Sequence, residues 1–326
     1  MSSFSLHKLC AHWRKVQPNL SVEIGKIKLK NPLIVASGTF GYAEEFKHLV
    51  DLRKIGAIIT KTITLTPRKG NPPPRTVETP SGMLNSIGLE NPGIEIFLKE
   101  KLPFLKKIGT PIIVSIMAET IDEFKELAKI LDKTKGITAI ELNLSCPNVR
   151  HSTNNVKLTA QDPKATYEAV EVARSQTNKT LIAKLSPNVT DITEIARVAL
   201  SAGIDALSLV NTFFAMAIDI KTKSSVLGSV TGGLSGPAIK PMALYLVWQL
   251  YKEIKSPIIG GGGIMTAQDA IEFMLAGATA VTVGTANFIN PRVSIEIIED
   301  LRAYLIKNKI KDISALCGAL KYDTKN

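Results

Sequence analysis

Short apolar runs alternate with amphipathic stretches along almost the whole chain. The runs fall at residues 33–37, 57–61, 112–116, 139–144, 181–185, 206–210, 257–260 and 280–283. They are rich in β-branched residues and apolar at consecutive positions, the pattern of parallel strands buried on both faces. Between them apolar residues recur at helical spacing, which predicts helices over about 43–54, 92–107, 120–132, 163–176, 190–202, 237–253, 267–276 and 293–307. Several carry boundary signals. Asp162-Pro163, Thr190-Asp191 and Gly236-Pro237 read as starts, and Ala202-Gly203 and Ala276-Gly277 as stops.

Eight strands alternating with eight helices predict an α/β fold, a (β/α)8 TIM barrel. A doubly wound open sheet is the competing architecture, but no GxGxxG follows the first strand. Residues 22–31, with Gly25 at the centre, read as an N-terminal β-hairpin that plugs the barrel's N-terminal end. Residues 64–91 and 147–161 form long loops after strands two and four, where barrel enzymes carry function. Residues 1–20 stand before this pattern as an extension, with 4–16 suited to a short amphipathic helix. Residues 21–326 read as a single domain.

Composition narrows the function classes. The chain has 326 residues, 45% of them hydrophobic and 21% charged, so it has ample material for a core. Its three cysteines, Cys10, Cys146 and Cys317, are far apart and form no CxxC pair. That argues against a disulfide framework and against a zinc or iron–sulfur site in this chain. The net charge of +11 comes with only 6% aromatics, which do not interleave with the lysines, so nucleic-acid binding is disfavoured. An anionic substrate or a phosphate-bearing cofactor fits the charge better. No run is long and apolar enough for a membrane span, no signal peptide opens the chain, and a cytoplasmic location is expected.

The strand ends hold the candidate chemistry. The run Glu141-Leu142-Asn143-Leu144-Ser145-Cys146-Pro147-Asn148 sets two amides and a thiol where strand four gives way to a loop. Alone, it reads either as a small buried cysteine beside a turn-forming asparagine or as a proton-transfer group beside ligand-holding amides. Other strands end in Ser37, in Lys61-Thr62, at Ser115, in Lys184 and in Asn211-Thr212. Lysines at apolar strand ends are costly unless a ligand uses their charge. Gly260–Gly263 and Gly284-Thr285 follow strands seven and eight, the usual phosphate site of barrels. The histidines His7, His12, His48 and His151 are scattered, and no metal site is expected.

Several of these stretches carry longer motifs. Lys61-Thr62, Gly70-Asn71-Pro72, Arg75 and the run Asn85-Ser86-Ile87-Gly88-Leu89-Glu90-Asn91-Pro92-Gly93 come first. Asn143 to Asn148, Lys184-Leu185-Ser186-Pro187-Asn188 and Asn211-Thr212 follow, then Gly232 to Ala238 and Gly260–Gly263. In this order they resemble the dihydroorotate dehydrogenases, over nearly the whole chain from Val22. The resemblance implies a barrel with one FMN that oxidises dihydroorotate to orotate in pyrimidine synthesis. Cys146 falls at the catalytic base of the soluble enzymes. It would take the C5 proton while the C6 hydride passes to flavin. Lys61 would touch both flavin and the substrate carboxylate. Asn85, Ile87, Gly88, Leu89, Asn143, Asn148, Asn211 and Thr212 would hold substrate. Ser37, Thr62, Ser115, Asn143, Lys184, Val210 and Gly236 would contact flavin, and Gly262, Gly263, Gly284 and Thr285 its phosphate end. Ser115 stands where the family often has Asn, and Gly261 makes the phosphate loop richer in glycine than usual.

The segments Ala36 to Tyr42 and Thr79 to Asn85 resemble the NAD-linked soluble class more than the fumarate-using one. That class pairs the flavin barrel with a separate subunit bearing FAD and a 2Fe–2S cluster, which implies a homodimer or heterotetramer. Two rival readings remain at the level of sequence. One is another FMN barrel acting on a dihydropyrimidine. The other is a cofactor-free, phosphate-binding lyase that uses Lys184 or Lys61 as a Schiff base.

Overall fold

A computed structural model describes residues 17–145 and 159–322. Eight parallel strands close into a barrel in chain order: β3 (Leu33–Val35), β4 (Ala57–Ile59), β7 (Ile112–Ile116), β8 (Ala139–Asn143), β9 (Thr180–Lys184), β10 (Ala206–Leu209), β15 (Ile258–Gly261) and β16 (Ala280–Val283). β16 pairs with β3 to complete the ring. The strand cores are wholly buried, with Ile34, Ile58, Ile113, Ile140, Ile182, Leu207, Ile259 and Val281 all at 0% exposure. This is the (β/α)8 barrel expected from the alternating runs, and each strand lies within a residue or two of its expected place. The amphipathic Ile121–Lys133, Pro163–Arg174 and Ile192–Ser201 turn their apolar faces to this core. Each begins at a side-chain cap, from Thr120, Asp162 and Asp191 respectively.

The expected hairpin forms from β1 (Val22–Ile24) and β2 (Ile27–Leu29). It sits under the barrel. The Lys26 N–H donates to Thr180 Oγ1 at 2.9 Å, and a Cβ on Gly25 would strike Thr180 and Asp205. Gly25 has φ +54°, a turn conformation that glycine adopts without strain. Asn19 ties the preceding chain to Asp312 through its side chain, at 2.6 Å. The helix expected over 4–16 lies outside the described residues.

Two helix expectations are corrected. Residues 43–54 form no continuous helix, only the 3-10 turns Glu44–Phe46 and Leu52–Lys54. Asp51 accepts hydrogen bonds from the Arg53 backbone and guanidinium, a local arrangement that competes with a helix through the same residues. The 92–107 helix is interrupted by a π-helical stretch, Phe97–Lys101, just ahead of Pro103. Proline has no N–H for the regular ladder, and the wider turn absorbs the defect.

A second sheet went unread in the sequence. β5 (Thr76–Thr79) and β6 (Gly82–Asn85) form a hairpin in the long loop after β4. β11 (Phe213–Ala215) and β14 (Gly232–Ser235) come from an equally long loop after β10. They join as an antiparallel sheet in the order β11-β14-β6-β5. A two-stranded ribbon, β12 (Ile218–Asp219) with β13 (Ser224–Ser225), extends from the same loop. The loop after β4 is braced from the other side as well, since Gly228 N donates to Pro74 O at 2.7 Å. Gly228 is so close to the Pro72 and Pro73 carbonyls that no Cβ would fit.

Candidate active site

A cavity of about 310 Å³ opens at the C-terminal ends of the barrel strands, under the second sheet. Its size is that of a small-molecule site. The polar strand ends converge on it. β3 leads into Ser37, β4 into Lys61 and Thr62, β8 ends in Asn143 and β9 in Lys184. β10 leads into Val210, Asn211 and Thr212. The loop after β6 adds Asn85, Ile87, Gly88 and Leu89. Gly236, Gly262, Gly263, Gly284 and Thr285 close the far wall. All of these were singled out in the sequence, and the fold brings them to one cavity.

Three expected residues stand apart. Ser115 is wholly buried and does not line the cavity; it lies behind Thr62 and shares a 3.0 Å hydrogen bond with its hydroxyl. Cys146 and Asn148 lie outside the described residues, as does His151.

A hydrogen-bond chain fixes the wall. Thr62 Oγ1 is the hub, 3.1 Å from Ser37 Oγ and 3.0 Å from Ser115 Oγ, and it accepts from Asn143 Nδ2 at 3.0 Å. Asn211 Nδ2 donates to the Ser145 carbonyl and hydroxyl, each at 3.0 Å. Its Oδ1 accepts from the Thr212 backbone at 2.8 Å. This stitches the end of strand six to the residue before Cys146. Asn188, outside the cavity lining, accepts from Phe214 N and donates to Thr212 O, which pins β11 to the end of β9. Amides buried in such a chain hold one orientation, which is what a planar polar ligand requires.

The four glycines of the loop after strand seven divide into two pairs. A Cβ on any of them would strike the surrounding protein, at Ala278 and Phe273 for Gly260, Thr282 for Gly261, Ala243 for Gly262 and Gly236 O for Gly263, but Gly260 and Gly261 do not line the cavity. Gly262 and Gly263 have φ +129° and +79° and face the cavity. Gly284 is different again. A Cβ there would meet nothing nearer than Ala36 Cβ at 3.6 Å, so its open side is the cavity itself. This cradle lets a ligand approach the backbone closely, as a phosphate needs. Lys240 braces it from below, bonded to Asp269 at 2.6 Å and to Glu272 at 3.0 Å.

Lys61 and Lys184 are the two cations on the lining, among the described residues, and Glu90 is its one carboxylate. Burial pushes the Lys61 ammonium below the ordinary lysine range. The Glu90 carboxylate opposes that fall, the Arg75 guanidinium adds to it, and Glu45 opposes it. Glu90 belongs to a motif run in the sequence, but its place on the cavity lining, bonded to Arg75, was not anticipated. Its place directly after Leu89 was the available signal. Glu141, on β8 two residues before Asn143, is wholly buried, and neither carboxylate oxygen has a hydrogen-bond partner among the described residues.

Residues 19–305 match the family model described as dihydroorotate dehydrogenase. The chain is 54% identical over 304 residues to the dihydroorotate dehydrogenase B (NAD(+)) catalytic subunit of Geotalea uraniireducens (strain Rf4), covering 93% of this chain and 99% of that protein. It is 54% identical over 305 residues to the same-named subunit of Geobacter metallireducens (strain ATCC 53774 / DSM 7210 / GS-15), covering 94% and 99%. With that of Thermodesulfovibrio yellowstonii (strain ATCC 51303 / DSM 11347 / YP87) it shares 51% over 304 residues, covering 93% and 99%.

Proposed function

The chain belongs to the dihydroorotate dehydrogenase family, and from that premise we propose that it oxidises dihydroorotate to orotate as an FMN-bearing catalytic subunit. The observation that carries this reading is the cavity itself. Two lysines and three amides face a glycine cradle across a space of ligand size, at the catalytic end of a barrel. The cradle suits the phosphate of FMN, and Ser37, Thr62, Asn143, Lys184, Val210 and Gly236 suit its ring system. When bound, the flavin supplies the two-electron redox chemistry that protein side chains lack.

The remaining work falls to this chain. Lys61 holds the substrate carboxylate. Asn85, Asn143, Asn148, Asn211, Thr212 and the backbone of Ile87, Gly88 and Leu89 fix the dihydropyrimidine ring. Cys146 takes the C5 proton, for which a thiol near its free pKa is a competent base at neutral pH. The expectation for Ser115 changes with the structure: it supports Thr62 from behind. Residues 21–326 serve as one flavin-binding domain in this reading, working in the cytosol, with 1–20 as an extension.

A partner subunit carrying FAD and a 2Fe–2S cluster would supply the route by which the electrons reach NAD. Support comes from the names of the relatives, which are catalytic subunits of NAD-linked enzymes. Anaerobic mixing tests the core of this proposal. Bound flavin should bleach with dihydroorotate and stay oxidised with dihydrouracil. Protein that stays colourless after FMN is added would overturn the flavin assignment, and bleaching by dihydrouracil alone would move the substrate to another dihydropyrimidine.

A further inference from the structure

One residue of the motif run after strand five stands outside the cavity yet holds a stretch of chain that lines it. Asn188 is half-buried and absent from the cavity lining. Its amide grips backbone at both ends: Oδ1 accepts from Phe214 N at 2.9 Å and Nδ2 donates to Thr212 O at 3.1 Å. A residue of a parallel neighbouring strand would bond the same two groups; here a side chain takes its place. The grip is itself fixed. Asn188 Nδ2 and Asn188 N each donate to Ser186 Oγ at 3.2 Å, and Ser186 is wholly buried. Gln161 Nε2 donates to Asn188 O at 2.6 Å, which ties this turn to the chain ahead of the helix Pro163–Arg174.

The stretch so held completes the cavity wall. Val210, Asn211 and Thr212 line the cavity in succession, and β11 starts at the next residue. The first two are anchored to the barrel, where Val210 N donates to Gly261 O and Asn211 N to Leu185 O, each at 3.1 Å. Thr212 lies one residue further out. Its side chain fills the space that Gly233 of β14 leaves, for a Cβ on Gly233 would lie 1.9 Å from Thr212 Oγ1. Its carbonyl is the group to which Asn188 donates. Thr212 therefore stands between a glycine notch in the second sheet and an amide anchored in the turn after β9.

We propose that Asn188 is a positioning residue that acts through Thr212. Its amide fixes the Thr212 peptide, so that the threonine keeps one place against the substrate ring. The proposed flavin contacts do not hang on this grip. Val210 is held by Gly261 and Asn143 by Thr62, and the glycine cradle lies on other loops. The inference rests on the functional reading above for the identity of the ligand, but the grip on the backbone stands apart from any substrate.

The test reads the grip and its use separately, in the flavin-loaded protein. Hydrogen exchange followed by mass spectrometry reads the grip: peptides spanning residues 212–215 should exchange faster in Asn188→Ala, which removes the acceptor of Phe214 N. Perturbation of the flavin absorbance by orotate reads the use. The orotate Kd should rise about fivefold in Asn188→Ala, the worth of one ordinary hydrogen bond, with FMN affinity within about twofold of wild type. Asn188→Asp keeps the acceptor for Phe214 N but sets an oxygen against the Thr212 carbonyl. It should weaken orotate at least as much, and it carries the test if Asn188→Ala does not fold. In a Thr212→Ala background, Asn188→Ala should change the orotate Kd by less than about twofold, because the residue it acts through is gone. Unchanged exchange in Asn188→Ala overturns the proposal, as does wild-type orotate binding in both variants. Loss of FMN in both variants, or the full loss of orotate affinity in the Thr212→Ala background, overturns it too. Faster exchange in a protein that binds no orotate even with wild-type sequence leaves the grip standing and overturns the functional reading instead.

Discussion

Gly284→Ala separates room for a ligand from stability of the fold. Gly284 has ordinary backbone geometry, and a Cβ there would sit 3.6 Å from Ala36 Cβ, 3.7 Å from Thr39 Cγ2 and 3.9 Å from Thr39 Oγ1. These are ordinary van der Waals contacts, so the flavin-free fold has space for the methyl group. Replacing glycine at a compatible site restricts the unfolded chain and stabilises by about 0.4–1 kcal/mol. The methyl nevertheless enters the cavity beside Thr285, where the phosphate is proposed to approach the backbone. Losing one hydrogen bond to a charged group costs about 1.5–3 kcal/mol, or roughly ten- to a hundredfold in FMN affinity. Gly263→Ala is the contrast. Its φ is +79°, and a Cβ would lie 2.8 Å from Gly236 O and 2.9 Å from Lys240 N. The left-handed penalty alone is about 1–2 kcal/mol, and the backbone contacts add to it. Urea unfolding of the flavin-free proteins measures the stability side, and quenching of FMN fluorescence on titration measures the affinity side. Gly284→Ala should unfold at or above the wild-type midpoint yet bind FMN at least tenfold more weakly, while Gly263→Ala should lose both. Wild-type FMN affinity in Gly284→Ala would refute the cradle as the phosphate site. Destabilisation of Gly284→Ala by more than about 1 kcal/mol, the opposite of the expected gain, would refute the reading of the space.

Cys146→Ala should keep its flavin and bleach with dihydroorotate far more slowly in stopped flow; a rate near wild type would remove Cys146 from the base role. Lys61→Met should raise KM for dihydroorotate by about ten- to a hundredfold, the worth of a hydrogen bond to a charged group, with flavin content as the control. In the wild-type protein the protonated ammonium binds the carboxylate. With its pKa lowered from 10.5, KM should start to climb at a lower pH than for an ordinary lysine. Asp269→Ala removes the capping partner of Thr266 and the anchor of Lys240, and should cost about 1–3 kcal/mol at neutral pH by urea unfolding. Burial of Asp269 raises its pKa, but the Lys240 bond and the N–H groups of Met265 and Thr266 outweigh it and leave the pKa depressed. Its contribution is therefore complete above the ordinary carboxylate pKa. The gap between variant and wild type should shrink as the pH falls through the depressed value.

The barrel was legible because its strands are buried on both sides, and burial on both sides writes itself as uninterrupted apolar runs. The second sheet was not. Gly82–Asn85 and Gly232–Ser235 are only four residues each, with no period to read, and they pair across a long stretch of sequence. The division of the four glycines needed the fold: only Gly262 and Gly263 line the cavity, and nothing in the run itself separates them from Gly260 and Gly261. Ser115 shows the opposite limit. Its position at a strand end pointed to the cavity, but the Thr62 hydroxyl stands in front of it. Local hydrogen bonding at Asp51 likewise broke a helix that hydrophobic spacing alone supported.

β6 and β14 carry a consequence for how this barrel can change. Barrel loops are commonly treated as separate modules, each free to vary while the ring below stays constant. Here the loops that follow strands two and six, which stand on opposite sides of the ring, are hydrogen-bonded to each other along Gly233–Asn85, Leu234–Leu84 and Ser235–Met83. They form a single structural unit. A graft that brings in one loop from a relative would leave the other with an unpaired edge over the cavity. Recombination between relatives should therefore succeed only when both segments travel together.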